Sequence, residues 1–121
     1  MTRISVSEFK AMASPKPSKY RNVKVTVDGI TFDSKREAAY YAALKVRERA
    51  GEVSAVEMQR PFKMLGPKGE LIATYKADFA FWDHTEDRFR VIDVKGFITK
   101  EFNLKRKMMK ALLGVDVEVV K

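Results

Sequence analysis

The sequence predicts an α/β (α+β) protein: a central mixed β-sheet flanked by helices, in the order α-β-β-β-α-β after an N-terminal β-hairpin. Three observations predict it. Residues 71–82 and 88–95 are rich in β-branched and aromatic side chains and flank the polar tetrapeptide His84-Thr85-Glu86-Asp87, which suits a hairpin loop. Residues 35–50 are rich in Ala and Tyr, with a helix start signal before them and Gly51 after them. Residues 100–113 repeat apolar side chains at helical spacing, and an apolar run at 115–120 follows Gly114.

In chain order, residues 1–19 read as a flexible basic N-terminal arm, with a short helix at 7–12 using Phe9 and Met12. Residues 20–121 read as a single domain, since 121 residues suffice for one compact core and not two. Val23, Val25 and Val27 alternate, and Asp28-Gly29 is a two-residue turn signal that returns the chain through Ile30 and Phe32. Ser34 is a good N-cap for the helix at 35–50, and Glu37 three residues later completes a capping box. Gly51 suits the C′ stop, and the Ala-rich helix should pack much of its surface. Pro61 makes the strand at 53–64 an edge strand or a bent one. Gly66-Pro67-Lys68-Gly69 turns the chain into the central hairpin. Thr99 can cap the helix at 100–113, whose expected apolar stripe is Leu104, Met108, Ala111 and Leu112. Its basic flank is Lys100, Lys105, Arg106, Lys107 and Lys110.

Composition narrows the function. A net charge of +8 favours a polyanionic partner, nucleic acid before an acidic membrane surface. The absence of cysteine excludes disulfides, zinc ribbons and thiol catalysis. One histidine, His84, cannot build a multi-histidine metal site, and its loop position suggests a solvated side chain. There is no Gly-x-Ser-x-Gly turn, no signal-peptide core and no apolar run near the ~20 residues of a membrane span. A soluble, cytoplasmic protein is expected.

The candidate chemistry lies in the central hairpin. A loop centred between Thr85 and Glu86 places Asp78 directly across from Asp93, with Cβ atoms about 4.5–5.5 Å apart. Carboxylates that close repel, and a divalent cation with oxygen ligands would compensate them. Alternation puts Lys95 on the face of Asp93, with Ile92 and Val94 on the other. Two solvated surface acids would explain the same pattern. Glu37 has a bland reading, helix capping, which is preferred on the residues alone, and a sharp one, a third acid facing the pair. The basic flank is either a solubilising helix face or a phosphate-binding one.

Taken together these residues resemble the PD-(D/E)XK nuclease superfamily, whose core has the order α-β-β-β-α-β and is called restriction-endonuclease-like. Its motif, an acid on the first helix, an Asp on the hairpin and Asp/Glu-x-Lys on the next strand, falls on Glu37, Asp78, Asp93 and Lys95. Ala77 stands where the family often has proline. Residues 19–121 further resemble a group of small phage-encoded members, through Phe32-Asp33-Ser34-Lys35 with Glu37, Tyr75-x-Ala77-Asp78-Phe79, Asp93-Val94-Lys95-Gly96 and the helix from Thr99 through Lys105. Members of comparable size are described as Holliday-junction resolvases or related structure-selective endonucleases.

The resemblance implies a metal-dependent endonuclease acting on branched DNA. Asp78 and Asp93 would bind Mg²⁺ or Mn²⁺ directly, with the Val94 carbonyl as a further ligand and Glu37 completing the site directly or through water. Lys95 would orient or deprotonate the attacking water, or offset developing negative charge. The second role is preferred, because an ordinary lysine has a pKa near 10.4. Thr99, Lys100, Lys105 and Lys107, with Lys35 more weakly, would contact phosphates, which positions DNA without reading its sequence. Symmetric cutting of a junction needs two sites, so a homodimer is expected, with no membrane and no small-molecule cofactor. Other targets (flaps, nicks, a restriction-type site), a catalytically inactive DNA-binding accessory protein and a protein-interaction domain are the alternatives.

Overall fold

The computed structural model describes residues 23–121, so the expected arm at 1–19 and its short helix lie outside the described residues. The chain divides into two compact units, Met1–Ala38 and Ala39–Lys121, with the division falling inside the first helix.

In the first unit, β1 (Val25–Val27) pairs antiparallel with β2 (Ile30–Phe32), Val25 opposite Phe32 and Val27 opposite Ile30. Asp28 and Gly29 have φ of 53° and 75°, the two left-handed residues that a type I′ turn requires. Helix α1 (Lys35–Arg49) then begins with the expected cap. The Glu37 amide donates to Ser34 Oγ at 3.1 Å, and Glu37 Oε1 accepts from the Asp33 amide at 3.3 Å. The box is closed one residue further back than the Ser34 amide that usually completes it.

The second unit holds the remainder of α1 and the main sheet. Gly51 (φ 78°) donates to Glu48 O, and the Glu52 amide donates to Arg47 O. These are the two bonds of a Schellman stop, with Gly51 at the expected C′ position. The expectation that much of α1 packs is corrected. Ala38, Tyr41 and Leu44 are buried with Glu37, whereas Ala39, Ala42 and Ala43 are exposed and Val46 is 57% exposed. Alanine here supplies helix propensity rather than packing.

The main sheet runs β3 (Val53–Leu65), β4 (Leu71–Asp83), β5 (Arg88–Val94), β6 (Val117–Val120). The first two contacts are antiparallel and the last is parallel, so the sheet is mixed and the protein is α+β. β3 is an edge strand, as Pro61 suggested. It carries two left-handed non-glycine residues, Ala55 (φ 55°) and Gln59 (φ 54°), with a bulge between Ser54 and Glu57.

After β5 the chain forms α2 (Lys100–Met108), a π-helical turn Met109–Leu113 and a left-handed Gly114 (φ 69°). The core beneath it is Met64, Tyr75, Ala77, Val91, Phe102, Met109 and Val117. The expected stripe is therefore right only at Met108, which packs against this core half-buried, and is corrected elsewhere. Phe102 and Met109 are the buried residues of this segment, while Leu104 is 59% exposed and Leu112 is also exposed. Phe102 and Met109 are seven positions apart, so at 3.6 residues per turn they point within about 20° of each other. Leu104 lies on the far side of that helix. The π-turn adds a residue to its circuit and turns Leu112 out of line.

Candidate functional site

The β4–β5 ladder pairs Asp83 with Arg88, Trp82 with Phe89, Phe81 with Arg90, Ala80 with Val91 and Phe79 with Ile92. This is the register demanded by a loop centred between Thr85 and Glu86, and the next positions along are Asp78 and Asp93. There the ladder gives way to a side-chain bond: Asp78 Oδ2 accepts from the Val94 amide at 2.8 Å. Gln59 Nε2, on the neighbouring strand, approaches Asp78 Oδ1 at 3.4 Å. Asp78 is half-buried and Asp93 is only 3% exposed.

Asp93 has two unlike oxygens. Oδ2 accepts a hydrogen bond from the Tyr75 hydroxyl. Oδ1 is buried and meets no hydrogen-bond donor among the described residues. Its ionic neighbour is Lys95 Nζ at 3.4 Å, close enough for attraction but without hydrogen-bond geometry. Burial pushes the Asp93 carboxyl up to about 6. The Tyr75 hydrogen bond opposes this, the Asp78 charge adds to it, and Lys95 again opposes it. Burial, then the Asp93 carboxylate, holds the Tyr75 phenol above its ordinary pKa, so it remains a donor. The Lys95 ammonium also lies 4.7 Å from the centre of the Phe102 ring, a cation–π contact that anchors its stem to the core.

Asp78, Asp93 and Lys95 therefore meet at one end of the hairpin, as the spacing implied. Glu37 belongs to the first unit, where its carboxylate serves the helix cap. Among the described residues no group of three or more His, Cys, Asp or Glu side chains is placed to hold a metal ion. The pair itself suits a hard divalent cation: its donors are carboxylate oxygens, and one of them is buried without a donor. Val94 gives its amide to Asp78 and pairs with Val120 of β6.

A family model matches residues 17–117. The chain belongs to that family, described as a protein of unknown function (DUF1064). No curated protein matches the chain, and no solved structure does.

Around the acid pair of this DUF1064 protein, Thr99 Oγ1 caps α2 by accepting from the Phe102 amide at 3.0 Å. Toward a phosphate Thr99 can still offer its O–H. Lys100 and Lys107 are exposed, and Lys105 is half-buried at 3.8 Å from Glu101. Arg106 and Lys110 are turned to β6, where Arg106 Nε donates to Val117 O at 3.1 Å and Lys110 pairs with Asp116 at 3.0 Å. With Lys107, those two line a cleft of about 470 Å³ to which none of the site acids contributes. Lys35 is exposed in the first unit. His84 is exposed, as expected, with Nε2 at 2.8 Å from Ser54 Oγ. Among the described residues no helix is long and apolar enough to cross a membrane.

Sequence reasoning did not single out Tyr75 or Gln59 as site residues. Tyr75 could have been found from one rule: a tyrosine inside an apolar strand needs a partner for its hydroxyl. Gln59 carries no comparable signal, because its contact depends on a left-handed backbone that glutamine does not advertise.

Proposed function

We propose that this protein is a metal-dependent, structure-selective DNA endonuclease on a restriction-endonuclease-like core, a phage-type Holliday-junction resolvase acting in the host cytoplasm. The observation that carries the reading is the meeting of Asp78, Asp93 and Lys95 around a buried carboxylate oxygen that no donor among the described residues satisfies. A buried, uncompensated acid is costly, and structure keeps one where function needs it. The net charge of +8 supports a polyanionic substrate.

In this reading Asp93 and Asp78 would hold the ion, and Val94 would offer its carbonyl. A bound Mg²⁺ or Mn²⁺ would lower the pKa of a water and relieve charge on the scissile phosphate. Tyr75 and the Val94 amide fix the two carboxylates, so little reorganisation is left to the reaction. Lys95 lies beside Asp93 and would offset negative charge developing on the phosphate. Thr99, Lys100, Lys105 and Lys107 position the sugar-phosphate backbone without reading bases. A homodimer supplies the second site that symmetric cutting of a junction needs.

The test is a panel of four-way junction, flap, nicked, linear duplex and single-stranded DNA, with and without Mg²⁺, on wild type and Asp93→Ala. Wild type is expected to cut the junction only with metal. Asp93→Ala should lose roughly 100- to 1,000-fold or more of that rate while still binding DNA. Cutting of linear duplex with the junction left intact would reject the resolvase assignment. Binding without any metal-dependent cutting would leave a DNA-binding accessory protein.

A further inference from the structure

The reaction proposed above uses the bond from Tyr75 to Asp93 only to hold a carboxylate still, and does not say what that bond means for the choice of ion. Tyr75 and Asp93 are both nearly inaccessible, at 4% and 3% exposed. The phenol occupies Oδ2 of Asp93 and leaves Oδ1 as the buried oxygen without a donor among the described residues. A phenol packed among Met64, Ala77, Phe102 and Met109 has no water to turn to, so breaking its bond to Asp93 would strand a polar group in the core. The two oxygens are thus held in different roles by a contact that cannot rotate away. On Asp78 the Val94 amide meets Oδ2 at 2.8 Å and Gln59 Nε2 lies 3.4 Å from Oδ1.

Divalent cations respond differently to such a carboxylate. Ca²⁺ takes 6–8 oxygens and readily accepts both oxygens of one carboxylate, whereas Mg²⁺ is strictly octahedral, keeps several waters and needs one or two protein oxygens. We infer that Tyr75 is a positioning residue that restricts Asp93 to one-oxygen coordination, so that the acid pair accepts Mg²⁺ or Mn²⁺ in preference to Ca²⁺. The inference rests on the metal-dependent reading of the site and adds to it a determinant of which ion is taken.

The test is calorimetric titration of wild type and Tyr75→Phe with Mg²⁺, Mn²⁺ and Ca²⁺ in the absence of DNA. Wild type should bind Mg²⁺ and Mn²⁺ more tightly than Ca²⁺. Removing the hydroxyl releases Oδ2, so Mg²⁺ affinity should fall about 10- to 100-fold, as for other partners that orient a metal ligand. Ca²⁺ affinity should fall much less or rise, and the Mg²⁺/Ca²⁺ ratio should shrink. A general structural defect would weaken all three ions together and leave the ratio where it was. An unchanged ratio in folded Tyr75→Phe overturns the inference and leaves the cation site standing. Wild type that binds none of the three overturns both the inference and the metal-dependent reading. A shifted ratio in a protein that cuts no DNA supports the inference and removes the nuclease. If Tyr75→Phe does not fold, infrared spectra of wild type with ¹³C-labelled aspartate decide. One-oxygen binding of Mg²⁺ gives a wide separation of the carboxylate stretches, and a narrow separation overturns the inference.

Discussion

Asp83 closes one end of the β4–β5 hairpin and Asp93 lies at the other, and both are hidden from water, at 0% and 3% exposed. Their surroundings differ completely. Asp83 accepts from the Thr85 hydroxyl at 2.6 Å, the Thr85 amide at 2.9 Å, the Glu86 amide at 3.2 Å, and the guanidinium groups of Arg90 and Arg47 at 3.0 and 3.3 Å. The Thr85 hydroxyl first, with the Arg90 bond and the two amides, outweighs burial and holds its carboxyl far below the usual range. Asp93 has one donor, the Tyr75 hydroxyl, and a lysine at ionic distance, and burial wins. Burial alone therefore does not mark a functional acid. What marks it is the balance between desolvation and the donors that compensate it: Asp83 is fully served and holds the loop, and Asp93 is left in need.

The largest effect should come from the well-served acid. Asp83→Ala removes the shared partner of Arg47 and Arg90 and should destabilise the protein by about 3–5 kcal/mol in urea unfolding. A loss under 1 kcal/mol would erase the contrast.

Asp93 should behave oppositely, and its pH dependence gives the sign. Its folded pKa of about 6 lies above the unfolded value near 3.9. Between those values the folded state holds a proton that the unfolded state has released, so stability falls as pH rises through this window. The shift corresponds to roughly 3 kcal/mol, fully lost above the folded pKa. Asp93→Asn should therefore be more stable than wild type at pH 8 by about 2–3 kcal/mol and should lose the fall between pH 4 and 6. Unfolding curves across pH 4–8 without divalent cations check both. The pKa of Asp83 is lowered, so its contribution is present above the unfolded value and is lost only as pH falls below it.

The smallest effect should come from a residue near the site that carries no buried charge. Thr99→Ala removes the α2 cap and should cost about 1 kcal/mol, equally at pH 5 and pH 8. A pH-dependent loss would show that the cap and the acid pair are coupled.

Much of the scaffold was legible because local chemistry dictates it. Asp28-Gly29 set the first turn, Ser34 with Glu37 set the helix start, Gly51 set its stop, and the loop from His84 to Asp87 set the register that brings Asp78 and Asp93 together. What failed depended on geometry that the sequence does not carry. The α2 stripe was projected along a straight helix, and the π-turn at Met109–Leu113 breaks that projection. Tyr75 reaches Asp93 along the sheet with a long side chain rather than as a directly opposed neighbour, so strand alternation could not find it. Asp83 gives no strand signal of its own after Trp82, although Asp83 with Thr85 is the kind of pair that closes an Asx turn.

One consequence follows from the irregularities of β3. Among the described residues, the long outer strand of the main sheet is interrupted at Ala55, Gln59 and Pro61, the last with no N–H to give. A rim broken three times offers a neighbouring chain no continuous template, which protects this basic protein from growing into stacked aggregates. Any pairing of two copies must therefore be made by side-chain surfaces rather than by extending the sheet across β3.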